Sequence, residues 1–448
     1  MKKIVYFLCI VQSTFAQTSN KIEGTFANAK EKEIRLMGFW GTKDTLFSQT
    51  KTDASGNFIL SYPKKYIGAA TIQVKEITNL IVLLNNENFN INWSDFKDFD
   101  RVQFKNTKDN EWFQKAYAIN LEVIKRLAGI NYLLPLYKMD STKTGWATNL
   151  EKEIIFENTR FQEYQKQLPN NSYVKEYLKY RTLLQKLKQE KKTKEEQLET
   201  SSTFLAIDFS NLNLFNSGLA KDLFEEYLKQ ILNLQNKEEI INKLNAFSEI
   251  IKKSANSNSL CLNEYTEFLI KHFEQYGLTE AAEKLALSLL NDNKCVIDNQ
   301  RLPLLEQYKK MAIGKTAPNL VFSNHSKYKS LTDLNSKYKI IVFGASWCEE
   351  CKKEIPQFKE YAETFKTKYD AEIIFISIDT DKDKYHEFVK NVPFINSCDF
   401  KGWESPNVKN YFIFATPTVY VLDQQNKIVS KPLNAIDTAK WLFEKIKH

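Results

Sequence analysis

Three textures of apolar and polar positions follow one another along the chain. From residue 17 to about 105, short runs such as KEIRLMGF, GNFILSY, AATIQVKE and NFNINWSD alternate at period two, punctuated by Gly, Asn and Asp. That alternation predicts a small antiparallel β domain. Within it, Asp53-Ala54-Ser55-Gly56-Asn57-Phe58 reads as a hairpin turn feeding a strand that points Phe58 and Leu60 at the core. Residues 106–312 change to helical spacing, in EYLKYRTLLQKLKQ, LAKDLFEEYLKQILNL and AEKLALSLLND. Their leucine and aromatic stripes are core positions of an all-α middle, with no period regular enough for a solenoid. In residues 313–448, strand-like runs at Ile340–Phe343, Ile373–Ile378 and Thr418–Leu422 alternate with helical stretches, and a last hairpin falls around Asp423–Lys427. Strands alternating with helices predict an α/β domain whose helices cover a central sheet.

The totals agree with a multidomain chain. At 448 residues, two to three domains are expected, and an apolar fraction of 43% supplies their cores. The net charge of +8 is spread along the sequence. Its densest run, KLKQEKKTK from Lys186 to Lys194, carries glutamate at helical spacing, so it reads as a solvated helix face and no nucleic-acid partner is implied.

The opening MKKIVYFLCIVQSTFAQ has a basic start, an apolar run from Ile4 to Val11 and small residues up to Ala16, the layout of a signal peptide over residues 1–16. The run is too short to span a bilayer, and no other stretch is long and apolar enough to do so. Cys9 lies inside it without small residues before it, which fits loss with the leader better than lipid attachment. The expected mature chain is exported to the periplasm or cell envelope, soluble or peripherally attached. Beyond Cys9 stand Cys261, Cys295, Cys348, Cys351 and Cys398, too sparse for a disulfide-stapled scaffold. Cys261 and Cys295 could pair or be separate buried thiols, and Cys398 reads as structural.

The chemistry concentrates in FGASWCEECKKEIPQF, residues 343–358. A lone C-x-x-C leaves redox, zinc and chance open. Here the order is buried strand, short turn, Trp347-Cys348, then a helix. Cys348 should occupy the first turn, where unpaired N–H groups and the helix dipole favour a thiolate. Cys351, one turn on, could join it in a disulfide, so one thiol could attack a substrate disulfide and the other release it. Glu349 and Glu350 oppose thiolate formation at Cys348, which points to an electron donor rather than a strong oxidant. Glu354 is either a proton carrier for a buried thiol or a solvated helix residue. Pro356 should kink the helix, and Pro417, in FATPTVYVLD, is either a strand boundary or a cis peptide beside a reactive site.

Together, WCEEC, Lys352-Lys353-Glu354, Pro356 and the distant Thr416-Pro417 resemble the thioredoxin superfamily, and within it the exported TlpA/ResA-like (AhpC/TSA-related) thiol–disulfide oxidoreductases. The opening GKTAPNLVF, Gly314–Phe322, is similar to that family's lead-in strand, and an extra strand and helix precede Pro417. The resemblance covers roughly the last third of the chain. It implies a thioredoxin-like domain with Cys348 as attacking and Cys351 as resolving thiol in a redox-active disulfide. Trp347 would cover the pair, Thr416-Pro417 would form a cis-proline turn that binds substrate backbone, and Glu354 would tune the site. The buried acid of thioredoxin would fall at Val342. No organic cofactor is implied, and the partners would be protein disulfides and an upstream thiol electron donor. The N-terminal part resembles the appended region of larger TlpA-like proteins of Bacteroidetes.

Rival readings are weaker. Zinc needs about four ligands, and His272, His325, His386 and His448 show no paired spacing. A cysteine hydrolase needs a histidine partner, for which only His325 or His386 could be nominated. A peroxiredoxin-like peroxidase shares the fold, but its cysteine follows proline and threonine, whereas Gly344-Ala345-Ser346-Trp347 precedes Cys348. A non-enzymatic alternative makes the front two-thirds an envelope binding or scaffold module with an accessory redox domain.

Overall fold

The computed structural model describes residues 19–446 except 190–192, 293, 300 and 324–326. The expected signal peptide, Cys9, His325 and His448 lie outside the described residues. Two compact units emerge: one from the described part of Met1–Asn236 with Lys253–Tyr265, the other from Lys237–Lys252 with the described part of Thr266–His448. Among the described residues no helix is long and apolar enough to cross a membrane.

The first unit opens with eight strands: β1 (Ser19–Phe26), β2 (Glu33–Trp40), β3 (Lys43–Lys51), β4 (Asn57–Pro63), β5 (Ile67–Val74), β6 (Thr78–Asn85), β7 (Phe89–Trp93) and β8 (Val102–Lys105). They form two four-stranded sheets, ordered β4-β1-β7-β8 and β3-β2-β5-β6. Pairing is antiparallel except between β1 and β7, which run parallel. Alternate residues of both sheets, among them Ile22, Ile34, Leu36, Phe58, Leu60, Val82 and Ile91, share one apolar core. Asp53 does build a turn, its carboxylate accepting the N–H groups of Ser55 and Asn57, each at 2.8 Å. That turn does not close a hairpin: β3 pairs with β2 and β4 with β1, so it carries the chain from one sheet to the other.

Helices follow: α1 (Lys108–Met139), α2 (Thr144–Gln167), α3 (Tyr173–Lys188), α4 (Lys194–Leu205), α5 (Leu212–Phe215), α6 (Ala220–Leu232), α7 (Lys237–Ala255), α8 (Ser259–Gln275), α9 (Thr279–Leu290) and α10 (Leu302–Lys310). The basic run from Lys186 to Lys194 is not one helix face. α3 ends at Lys188, and α4 starts at Lys194 behind the capping box of Thr193 and Glu196.

The α/β part of the second unit contains β9 (Tyr338–Gly344), α11 (Glu349–Tyr369), β10 (Ala371–Ser377), α12 (Lys382–Val389), β11 (Ile395–Cys398), α13 (Pro406–Asn410), β12 (Thr418–Asp423), β13 (Ile428–Ser430) and α14 (Ala435–Ile446). Sheet order is β11-β10-β9-β12-β13. β9, β10 and β11 are parallel, while β12 and β13 run antiparallel to their neighbours. β9 shows why Ile340–Phe343 is a continuous apolar run. Ile341 and Phe343 enter the core on one face with Tyr411 and Tyr420, while Ile340 and Val342 enter the other with Phe358 and Phe365. Both faces are covered, so alternation disappears. Each such fully buried side chain contributes roughly 1.5–3 kcal/mol.

The expected lead-in strand over Gly314–Phe322 does not form. Its ladder pairing is limited to isolated bridges, Thr316 to Lys427 and Val321 to Ser330, while single hydrogen bonds such as Gly314 N–H to the Ile428 carbonyl and Phe322 N–H to the Lys329 carbonyl tie the segment down. Pro318 between them has no N–H to donate to a ladder. Pro356 lies inside α11, which continues to Tyr369.

Candidate active site at the head of helix α11

β9 ends at Gly344, and Ala345–Cys348 form a tight turn in which the Cys348 N–H donates to the Ala345 carbonyl at 3.2 Å. Cys348 is the N-cap residue of α11, with extended backbone (φ −83, ψ 115). Its Sγ accepts the N–H of Cys351 at 3.2 Å, so one of the orphan donors of the first helical turn points at sulfur. The same Sγ lies 3.4 Å from the carbonyl oxygen of Thr416, to which a thiol donates. Cys348 is 8% exposed and Cys351 is fully buried, and neither is in a disulfide here. Burial, reinforced by the contact with the Cys348 sulfur, pushes the Cys351 thiol up to about 12. The pair is therefore asymmetric: the Cys348 sulfur keeps a small exposure and receives one backbone N–H, and the Cys351 thiol behind it is fully buried and held protonated.

The Thr416–Pro417 peptide bond is cis. It joins Ile413 and the exposed Phe414 to β12, and Thr416 and Pro417 are both half-buried. Trp347 is exposed beside Cys348, and its ring lies 6.4 Å from that of Trp403, at an interplanar angle of 55°. Glu349 and Glu350 are each paired one turn on, with Lys352 at 2.6 Å and Lys353 at 2.7 Å. The Lys352 ammonium holds the Glu349 carboxyl below its ordinary range. These lysines offset the two carboxylates on which the sequence reading rested an unfavourable field. Glu354 is half-buried, and its Oε2 accepts the N–H of Ala435 at 2.9 Å, at the start of α14. Val342 is wholly buried among apolar neighbours.

Other sequence candidates lie elsewhere. His386 is on α12, its ring beside Tyr385 and Phe400. The Cys261 thiol contacts the Ser210 carbonyl at 3.6 Å, and neither Cys261 nor Cys295 is in a disulfide. Cys398 is a buried thiol that donates to the Asp379 carbonyl at 3.4 Å.

Three site residues escape the sequence reading. Gly344 has no room for a side chain: a Cβ there would come within 2.7 Å of the Phe375 ring and 3.2 Å of the Cys351 sulfur. Asp379, just beyond β10, holds Ser346 in the turn before Cys348. Its position at the carboxyl end of a parallel strand, where α/β sheets build their sites, was the available signal. Trp403 carries no local signal, since its role comes only from the ring opposite it.

A thioredoxin-like family model matches residues 335–428. The thiol–disulfide oxidoreductase ResA of Bacillus subtilis is 29% identical over 121 residues, which are 26% of this chain and 64% of ResA, so the match spans less than two thirds of that relative. The thioredoxin-like protein YneN of the same organism is 27% identical over 136 residues, 28% of this chain and 76% of that protein. Among solved structures, a domain of a possible thiol-disulfide isomerase from Cytophaga hutchinsonii is 26% identical over 30% of this chain and 93% of its own, with a TM-score of 0.27. A thioredoxin-like protein from Bacteroides caccae is 14% identical over 55% of this chain and 93% of its own, with a TM-score of 0.43. Residues 335–428 thus match a thioredoxin-like domain carried on a larger multidomain chain, and the C-terminal part of the chain is similar to the oxidoreductase ResA.

Proposed function

We propose that the chain is a thiol–disulfide oxidoreductase that reduces disulfides of exported proteins. The observation that carries this reading is the asymmetric pair at the head of α11, where the Cys348 sulfur receives the Cys351 N–H at 3.2 Å beside the Thr416 carbonyl. Cys348, as thiolate, attacks one sulfur of a substrate disulfide. The S–S bond breaks, a mixed disulfide forms, and the departing substrate thiolate takes up a proton. Cys351 loses its proton and attacks the Cys348 sulfur, which releases the second substrate thiol and leaves a Cys348–Cys351 disulfide. Two electrons and two protons have passed to the substrate, and an upstream dithiol donor returns them to the pair. Trp347, Thr416 and Pro417 border the attacking sulfur and form the substrate-binding rim. Glu354 is assigned a supporting role, through the helix it caps. Export rests on the basic-then-apolar leader MKKIVYFLCIV and its small-residue cleavage site.

The test is turnover of a model protein disulfide with dithiothreitol as reductant. Cys348→Ser should abolish it, and Cys351→Ser should accumulate a mixed disulfide visible on a non-reducing gel. Wild-type protein without turnover, indifferent to Cys348→Ser, would overturn the reading.

A further inference from the structure

Asp379 is 1% exposed, and both of its carboxylate oxygens accept hydrogen bonds. One oxygen accepts the Ser346 hydroxyl at 2.7 Å. The other accepts the Ser346 N–H at 3.0 Å and the Ser377 hydroxyl at 2.6 Å. Ser377 in turn accepts the Asp379 N–H at 3.1 Å, closing a small buried network at the end of β10. A carboxyl group taken so far out of water is costly unless its polar atoms are paired, and here Ser346 of the neighbouring loop supplies two of the three donors and Ser377 the third.

That residue matters because of where it stands. Ser346 is an inner residue of the turn whose closing hydrogen bond runs from the Cys348 N–H to the Ala345 carbonyl. Gly344, immediately before the turn, accepts the Ile378 N–H at 2.9 Å, so the residues just past β10 grip the loop on both sides of Ala345. Downstream, the Asp379 carbonyl accepts the Cys398 thiol, and Gly402, at φ +58, lies against Thr380 one residue before Trp403, the aromatic neighbour of Trp347. Nothing in this network touches the sulfur of Cys348. Its effect is on the backbone that aims it.

We propose that Asp379, acting through a two-point grip on Ser346, is a positioning residue for the attacking thiol: it locks the turn that presents Cys348 as the N-cap of α11. The inference rests on the disulfide-exchange reading above, and it deepens that reading by adding a residue outside the C-x-x-C motif. A pinned turn keeps the Cys348 sulfur on the Cys351 N–H and in line with an incoming disulfide. A loosened one lowers the fraction of molecules competent to react without altering the surface that binds substrate.

The experiment compares wild type, Asp379→Ala, Asp379→Asn, Ser346→Ala and the Asp379→Ala/Ser346→Ala double variant. It measures kcat and KM on a protein disulfide, and separately the rate at which iodoacetamide alkylates Cys348 in the reduced chain. Circular dichroism confirms that each variant is folded. Asp379→Ala should lower kcat about tenfold with KM within twofold, and slow alkylation of Cys348 several-fold. Asp379→Asn keeps an oxygen for the Ser346 N–H and should retain at least a third of wild-type kcat. The double variant should be no worse than Asp379→Ala alone, because both remove the same contact. A folded Asp379→Ala with unchanged kcat overturns the proposal. So do equal losses in the Ala and Asn variants, which would assign the effect to charge, and additive losses in the double variant. Should Asp379→Ala not fold, Ser346→Ala decides: about threefold lower kcat supports the grip, and no change overturns it. If wild type shows no turnover at all, the functional reading fails by itself, and the alkylation rates still decide the positioning claim.

Discussion

The amide of Ala435 donates to the Glu354 carboxylate at 2.9 Å, so the acid nominated by sequence as a proton carrier stands at the N-terminus of the last helix. Asn434 caps the same turn, accepting the Asp437 N–H at 2.8 Å. A carboxylate placed there satisfies an orphan donor and complements the helix dipole. Glu354→Ala should therefore lower stability by about 1 kcal/mol in urea unfolding, with kcat changed less than twofold. Glu354→Gln, which keeps an acceptor oxygen, should recover most of that loss. A tenfold fall in kcat for the Gln variant at full stability would return Glu354 to proton transfer.

Burial raises the Cys351 thiol well above its ordinary value, to about 12, and this has a consequence for the reduced protein. In the unfolded chain that thiol ionises near its normal value of about 8.5, so between there and the folded value the native state binds more protons than the unfolded one. Stability from this source is complete below the unfolded value and lost as pH rises toward the folded one. Reduced wild type should thus lose more thermal stability between pH 8 and pH 11 than reduced Cys351→Ala. Equal slopes in the two melting series would mean that Cys351 is not held protonated by the fold.

Gly344 is where the sheet and the site compete for space. A methyl group there would sit 2.7 Å from the Phe375 ring and 3.2 Å from the Cys351 sulfur, both fully buried. Overpacking of this kind costs about 1–3 kcal/mol, because neither neighbour has room to retreat. Gly344→Ala should show that loss in denaturant midpoint, with an unchanged m-value.

How far the sequence reaches depends on the range of the interactions. Trp347, Cys348, Cys351 and the helix behind them lie within one local pattern; the proline before a strand left Pro417 open between a boundary and a cis peptide, the family resemblance implied the cis turn, and the bond is cis. Asp379 escapes because its partner Ser346 belongs to another strand's loop, brought alongside only when β10 pairs with β9. The parallel pairing of β1 with β7 escapes for the same reason, since period-two alternation says which face is buried and nothing about the neighbour. At Gly314–Phe322 the family resemblance implied a lead-in strand, and the segment, with no N–H at Pro318, pairs through isolated bridges instead.

Trp403 and Trp347 are exposed by 43% and 52% in a place where large aromatic rings gain little from solvent. Aromatic anchors beside a reactive group add contact area at low entropic cost. Trp403→Ala should raise KM for a protein disulfide about threefold to tenfold while leaving kcat within twofold. Turnover of a small disulfide such as oxidised glutathione should not change. A matching loss on both substrates would instead place Trp403 among residues that support the loop.

The α/β part of the second unit is tied to the helix ahead of it by one partly enclosed ion pair. Lys431, just past β13, meets Glu283 of α9 at 2.7 Å, with side chains 13% and 11% exposed. The other Glu283 oxygen accepts the Ile313 N–H at 2.9 Å, at the residue where sequence texture alone begins the last domain. Removing one partner leaves the other charge poorly hydrated and the amide unpaired, so Glu283→Ala should cost up to about 3 kcal/mol. Replacing both partners by apolar residues of similar size removes the stranded charge and should cost less than Glu283→Ala alone. The same contact bears on where the thioredoxin-like domain can be cut. A fragment starting at residue 313 lacks Glu283, whereas one starting at residue 266 keeps it, and the longer fragment should melt several degrees higher. Equal melting temperatures would show that α9 adds nothing to the fold around the cysteine pair.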